Sequence, residues 1–106
     1  MYKIVFTPYA KNQINGIYNY IADELINPIA AEKTIRAIEA SVMNLDQMPQ
    51  RIKIVDNEPW RSQGIRRLTV KNFSVYFWIN EDKLGVHVVA VAYARRNQVG
   101  VLSDIE

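Results

Sequence analysis

Over Tyr2–Phe6 apolar and polar side chains alternate among β-prone residues, which predicts a first strand. Thr7 and Pro8 end it, because threonine is a favoured N-cap and proline suits the first helical position. The period then changes. Ala10, Ile14, Ile17, Tyr18, Ile21 and Leu25 recur three or four residues apart and form one apolar stripe, with Lys11, Asn12, Asn15, Asn19 and Asp23 turned outward. Asn27 and Pro28 repeat the cap-plus-proline signal and open a second helix, whose stripe is Ala31, Ile35, Ile38, Val42 and Leu45 and which stops before Pro49. Two amphipathic helices joined this tightly pack as an antiparallel hairpin.

Residues 49–63 carry Pro49, Pro59 and scattered charge with no period, and read as a loop. After Gly64 three β-prone runs follow, Ile65–Val70, Phe73–Ile79 and Val86–Tyr93, joined by a tight turn at Lys71-Asn72, where asparagine tolerates positive φ, and a longer one over Asn80–Gly85, closed by glycine. This predicts an antiparallel meander. In its middle run Phe73, Val75, Phe77 and Ile79 share one face and should meet the helices, while Ser74, Tyr76 and Trp78 share the other and should look outward. The expected fold is α+β: an N-terminal strand, a two-helix hairpin and a three-stranded meander in one sheet, with both helices on one face. The tail from Gln98 to Glu106 has no clear period; a frayed end and a short helix formed against a partner are both open.

Composition narrows the class. With 106 residues, 49% of them hydrophobic and spread along the chain, one domain over residues 1–106 with a sizeable core is expected. The chain has no cysteine, which excludes disulfides, thiolate zinc sites and a cysteine nucleophile. The N-terminal residues lack a signal-peptide pattern and no apolar run approaches the ~20 residues of a membrane span, so a cytoplasmic location and no membrane partner are expected. Four bases face five acids through residue 50, but nine bases face six acids afterwards. A basic second half points to an anionic partner or, equally on charge alone, to a guarded strand edge.

Arg61, Arg66, Arg67 and Lys71 cluster around the first meander strand, and Arg95 and Arg96 follow the last. Together with Tyr76, Trp78 and Tyr93 they suit phosphate binding and base stacking. Against this, adjacent Arg66 and Arg67 must point to opposite faces, so only one can join such a patch. His87, the single histidine, has no carboxylate nearby in sequence and is read as structural. Met43, Met48, Trp60 and Trp78 are read as packing residues. No phosphate loop, metal-ligand spacing or nucleophile motif occurs, and neither metal nor organic cofactor is expected.

The segments FTPYAKNQINGIYNYIADEL, NPIAAEKTIRAIEASV, GIRRLTVKNFSVYFWI and VVAVAYARRN, in this order and spacing, resemble the RelE/ParE superfamily of toxins from type II toxin–antitoxin systems, and ParE-like members more than RelE-like ones. The resemblance implies a growth inhibitor held inactive by a cognate antitoxin that wraps it. It further implies one of two targets: DNA gyrase, inhibited without catalysis, or the ribosome and its mRNA, cut by arginine, lysine and tyrosine side chains. Where RelE-like nucleases carry a phosphate-binding arginine this chain has Ser74, and where they carry a late tyrosine it has Gly100 or Val101. Under the nuclease alternative the catalytic candidates are Arg67, Tyr93, Arg95 and Arg96. Under the gyrase reading Arg66, Arg67, Lys71, Tyr76, Arg95 and Arg96 are target-binding. A third reading is a decayed member that only binds an antitoxin.

Overall fold

The computed structural model describes residues 1–94. Strand β1 (Lys3–Phe6) is followed by helix α1 (Pro8–Asn19), a single π-helical turn (Tyr20–Glu24) and helix α2 (Pro28–Met43). Strands β2 (Arg66–Val70), β3 (Phe73–Asn80) and β4 (Gly85–Tyr93) complete one four-stranded sheet in the order β1-β4-β3-β2. The meander is antiparallel, and β1 joins it beside β4, running parallel to it. Both expected caps are present: Thr7 Oγ1 and Asn27 Oδ1 accept from the backbone N–H of Ala10 and Ala30, each at 3.1 Å.

The helix stripes meet the sheet as expected. Ala10, Ile17, Ile21, Ala31, Ile38, Val42 and Leu45 are buried against Phe73, Val75, Phe77, Val86, Val88 and Val91, with Ile14, Ile35 and Ile79 partly buried around them. Two members of the first stripe fall outside it: Tyr18 is 39% and Leu25 55% exposed. The π turn explains Leu25. Its N–H bonds Tyr20 O, five residues back, so the turn takes one residue more than an α-turn and Leu25 is carried off the line through Ile17 and Ile21. Met43 and Met48, expected to pack, are likewise exposed.

The larger difference is on the other face of the sheet. Tyr76 pairs with Ala90 and Phe77 with Val88, so Val89 is an additional residue on β4, a β-bulge. The bulge reverses the alternation of β4: Val86, Val88 and Val91 face the helices, whereas Ala90 and Ala92 face away. There, with Tyr76, they form a second core under Val55, Trp60 and Ile65 from the preceding loop. That loop is tied down by an isolated bridge between Ile54 and Arg66 and by Val55 N–H to Ile65 O at 2.9 Å. The expectation that Ser74 and Tyr76 look outward is therefore corrected: they are 1% and 3% exposed. The cover is made of residues without period, so nothing in the local pattern announces it.

Candidate functional site

Cross-strand register decides where each basic candidate points. Arg66 stands opposite Phe77 and Arg67 opposite Tyr76, so the two guanidinium groups leave on opposite faces, as adjacency requires. Arg66 is half-buried and donates to the carbonyls of Ile52 at 2.6 Å and Gln50 at 3.2 Å, which pins the loop to the edge of β2. Arg67 is exposed on the face of the second core, and its backbone N–H reaches Lys53 O at 3.4 Å. Asp56 lies near two further bases of that rim, 3.5 Å from Lys53 and 3.8 Å from Arg61. Lys71 sits in the β2–β3 turn at φ 52, on the rim of a groove on the helix side. Tyr76 is buried and presents no surface to a target. The sheet thus separates Arg66 from Arg67, and Arg95 and Arg96 lie outside the described residues, as do Gly100, Val101 and the tail.

The groove was not anticipated. It has a volume of about 1010 Å³ and runs between α1 with its π turn and the C-terminal end of β4. Its walls include Gln13, Gly16, Tyr20 and Leu25 from the helical side and Val91 to Ala94 from the strand. Tyr93 stands at its end, 38% exposed, with its ring 4.7 Å from that of Phe73. The available sequence signal was Gly16, a glycine in the middle of an otherwise well-formed helix, where it is unfavourable unless space is needed.

At the opposite end of the sheet a polar cluster joins three segments. The Tyr2 hydroxyl donates to Glu81 Oε1 at 2.6 Å, and Gln50 Nε2 donates to the Tyr2 oxygen at 2.6 Å and to Glu81 Oε2 at 3.0 Å. The Tyr2 and Gln50 hydrogen bonds hold the Glu81 carboxyl below the usual carboxylate range, and the same carboxylate holds the Tyr2 phenol above its ordinary value. His87 is packed flat against Trp78, ring centroids 4.4 Å apart, which agrees with a structural histidine. Among the described residues no His, Asp or Glu group is clustered as a metal site, and no helix is long and apolar enough to cross a membrane.

Comparison with known proteins follows the same line. Residues 4–98 match the family described as ParE toxin of type II toxin-antitoxin system, parDE. Among solved structures, the chromosomal ParDE system of P. aeruginosa superposes with a TM-score of 0.73 at 23% identity, covering 90% of this chain and 98% of that one. The toxin–antitoxin complex RelBE2 of Mycobacterium tuberculosis gives 0.64 at 16% identity, covering 87% and 96%. Isolated E. coli RelE gives 0.58 at 13% identity, covering 98% and 96%. No curated protein sequence gives a significant match. The structural likenesses establish a shared RelE/ParE-like fold, and the family match extends over nearly the whole sequence. The chain belongs to the ParE toxin family of type II toxin–antitoxin systems.

Proposed function

We propose that this chain is a growth-inhibiting toxin, neutralised by a cognate antitoxin, that acts by binding DNA gyrase rather than by cutting RNA. One observation supports binding over cutting: Arg67 and Tyr93, two of the nuclease candidates, lie on opposite faces of the sheet, since Arg67 shares the face of Tyr76 and Tyr93 that of Phe73. They are also two strand spacings of about 4.8 Å apart, and three residues apart along β4 at roughly 3.4 Å each. RNA transesterification requires charge stabilisation and proton transfer at a single phosphodiester, and this pair does not converge on one. The face behind Ser74 and Tyr76, where bases would stack, is closed by Trp60.

An antitoxin partner is supported by the family and by the toxin–antitoxin complexes among the structural relatives. The ParE assignment supports gyrase as the target. Under this reading Arg67, Arg95 and Arg96 anchor the interface, because the planar, multi-donor guanidinium suits desolvated contacts. The test is induction in cells with parallel measurement of DNA supercoiling, the SOS response and mRNA ends. The expected result is altered supercoiling and SOS induction without new mRNA ends. Replacing both Arg95 and Arg96 with alanine should relieve the arrest while antitoxin binding persists, and Tyr93→Phe should change little. Codon-phased mRNA cleavage that disappears in Tyr93→Phe would instead establish the nuclease. Antitoxin binding without growth arrest would establish a decayed member.

A further inference from the structure

The turn between the two helices is tightly bonded yet built from residues that do not suit it. Leu25 N–H to Tyr20 O and Asn27 N–H to Ile21 O, both 3.1 Å, close the π turn, and Asn27 then caps α2 through its own side chain. A helix closed by such a return bond passes through one left-handed residue just before the bonding amide, where glycine is usual. Here that residue is Ile26 at φ 49, although asparagine, which takes the conformation at less cost, stands at the next position.

What this turn holds outward is apolar. Ile26 is 84% exposed, Ile29 69% and Leu25 55%, three large side chains within five residues. Each departs from what the free chain would favour: an α-turn in place of the π turn would return Leu25 to the line of Ile17 and Ile21, a glycine would relieve Ile26, and a polar residue would serve at Ile29 in the first turn of α2. The three departures have one result, an apolar tip on a backbone fixed by hydrogen bonds, which is the form of a contact surface. The groove beside β4 takes Leu25 into its wall but neither Ile26 nor Ile29, so the tip extends beyond it. Its border is acidic. Asp23 and Glu24 are exposed and in no ion pair among the described residues, and from Asn12 to Ala31 the chain has no lysine or arginine, although its net charge is +2.

We infer that the tip of the helical hairpin is a contact with the target enzyme: Ile26 and Ile29 enter an apolar recess of DNA gyrase with a basic rim, and Asp23 and Glu24 meet that rim. This deepens the gyrase reading above and rests on it. Charge selects the occupant. An enzyme that grips DNA surrounds its working surface with lysine and arginine, which an acidic border complements. Nucleic acid and anionic lipid are repelled by the two carboxylates, and the tip of a second copy brings the same two carboxylates with it. The apolar pair supplies the desolvated centre of the contact and the acids its polar border, and the bonded turn lets both be presented without further ordering.

The experiment measures binding of the purified chain to purified gyrase and to the antitoxin encoded beside it, together with thermal melting, for the unaltered chain and two double variants. Ile26→Asn with Ile29→Gln should melt no lower than the unaltered chain and keep its antitoxin affinity, yet bind gyrase at least tenfold more weakly. Asp23→Lys with Glu24→Lys should also bind gyrase at least tenfold more weakly at low salt, with the difference shrinking as ionic strength rises. Undiminished gyrase affinity in the first variant overturns the inference and leaves the gyrase reading standing, and so does affinity that rises on charge reversal, since the rim would then be acidic. Antitoxin affinity lost while gyrase affinity is kept assigns the tip to the antitoxin. Self-association that the first variant abolishes at unchanged gyrase affinity assigns it to a second copy, and either result overturns the inference. An unaltered chain that does not bind gyrase removes the gyrase reading and this inference together.

Discussion

At the scale of single residues, the most informative side chains are polar ones in unusual places. Ser74 is 1% exposed and its hydroxyl has no hydrogen-bond partner, a desolvation cost with no compensation. Ser74→Ala should therefore leave stability unchanged or raise it by up to about 1 kcal/mol, measured by denaturant titration; a loss of stability would show that the hydroxyl is satisfied. The Tyr2–Glu81 pair gives a pH signature. Glu81 is depressed when folded, so its contribution is present above the ordinary glutamate pKa and fades as pH falls through the lower folded value. Tyr2 is raised, so its contribution holds below the ordinary phenol pKa and is lost as pH climbs through the higher folded one. Tyr2→Phe should accordingly melt below the unaltered chain at neutral pH, with the difference shrinking in strong acid and strong alkali. A pH-independent difference would mean that the ring packing of Tyr2, not its hydroxyl, matters.

Elements were legible where one period governs a whole segment. Thr7-Pro8 and Asn27-Pro28 mark helix starts by cap chemistry that acts locally, and both caps formed as read. Turns were less transparent, because the residue that takes positive φ is set by strand register as well as by its own preference. Lys71, not Asn72, sits at φ 52, and Leu84 at φ 50 precedes Gly85, where an added Cβ would lie 3.1 Å from His87 Nε2. The hairpin between the helices carries the clearest strain: Ile26 is β-branched, 84% exposed and held at φ 49. Ile26→Asn keeps the turn, loses almost no burial and should stabilise by about 1 kcal/mol, read as a higher melting temperature. A fall would mean that Ile26 packs on something not apparent from its exposure.

For the molecule as a whole, the layer of helices on a mixed sheet followed from two apolar stripes and one apolar strand face needing mutual burial. The candidate site was less legible. Arg66 was visible as a base but not as a tie to Gln50 and Ile52, since its partners are backbone carbonyls of an aperiodic loop. Tyr76 was placed on the correct face, yet the cover supplied by Val55, Trp60 and Ile65 depends on tertiary contacts that no local pattern encodes. The groove eluded the pattern for a related reason: its walls include Gln13 and Val91, far apart in sequence and joined by a side-chain-to-backbone bond.

The bulge at Val89 means that β4 is written in two reading frames, even positions facing the helices before it and odd positions after it. Straightening the strand with Val89 kept in the ladder would merge the frames and send Ala90 and Ala92 to the helix side while turning Val91 and Tyr93 toward Trp60. The two cores thus depend on where the extra residue sits: loss of the Val89 codon would leave a regular strand with the same faces, whereas a codon gained or lost elsewhere in β4 exchanges the faces of the side chains beyond it. The exposed residues 81–84 of the turn before β4, which belong to neither frame, are where the gene can change its length without that penalty.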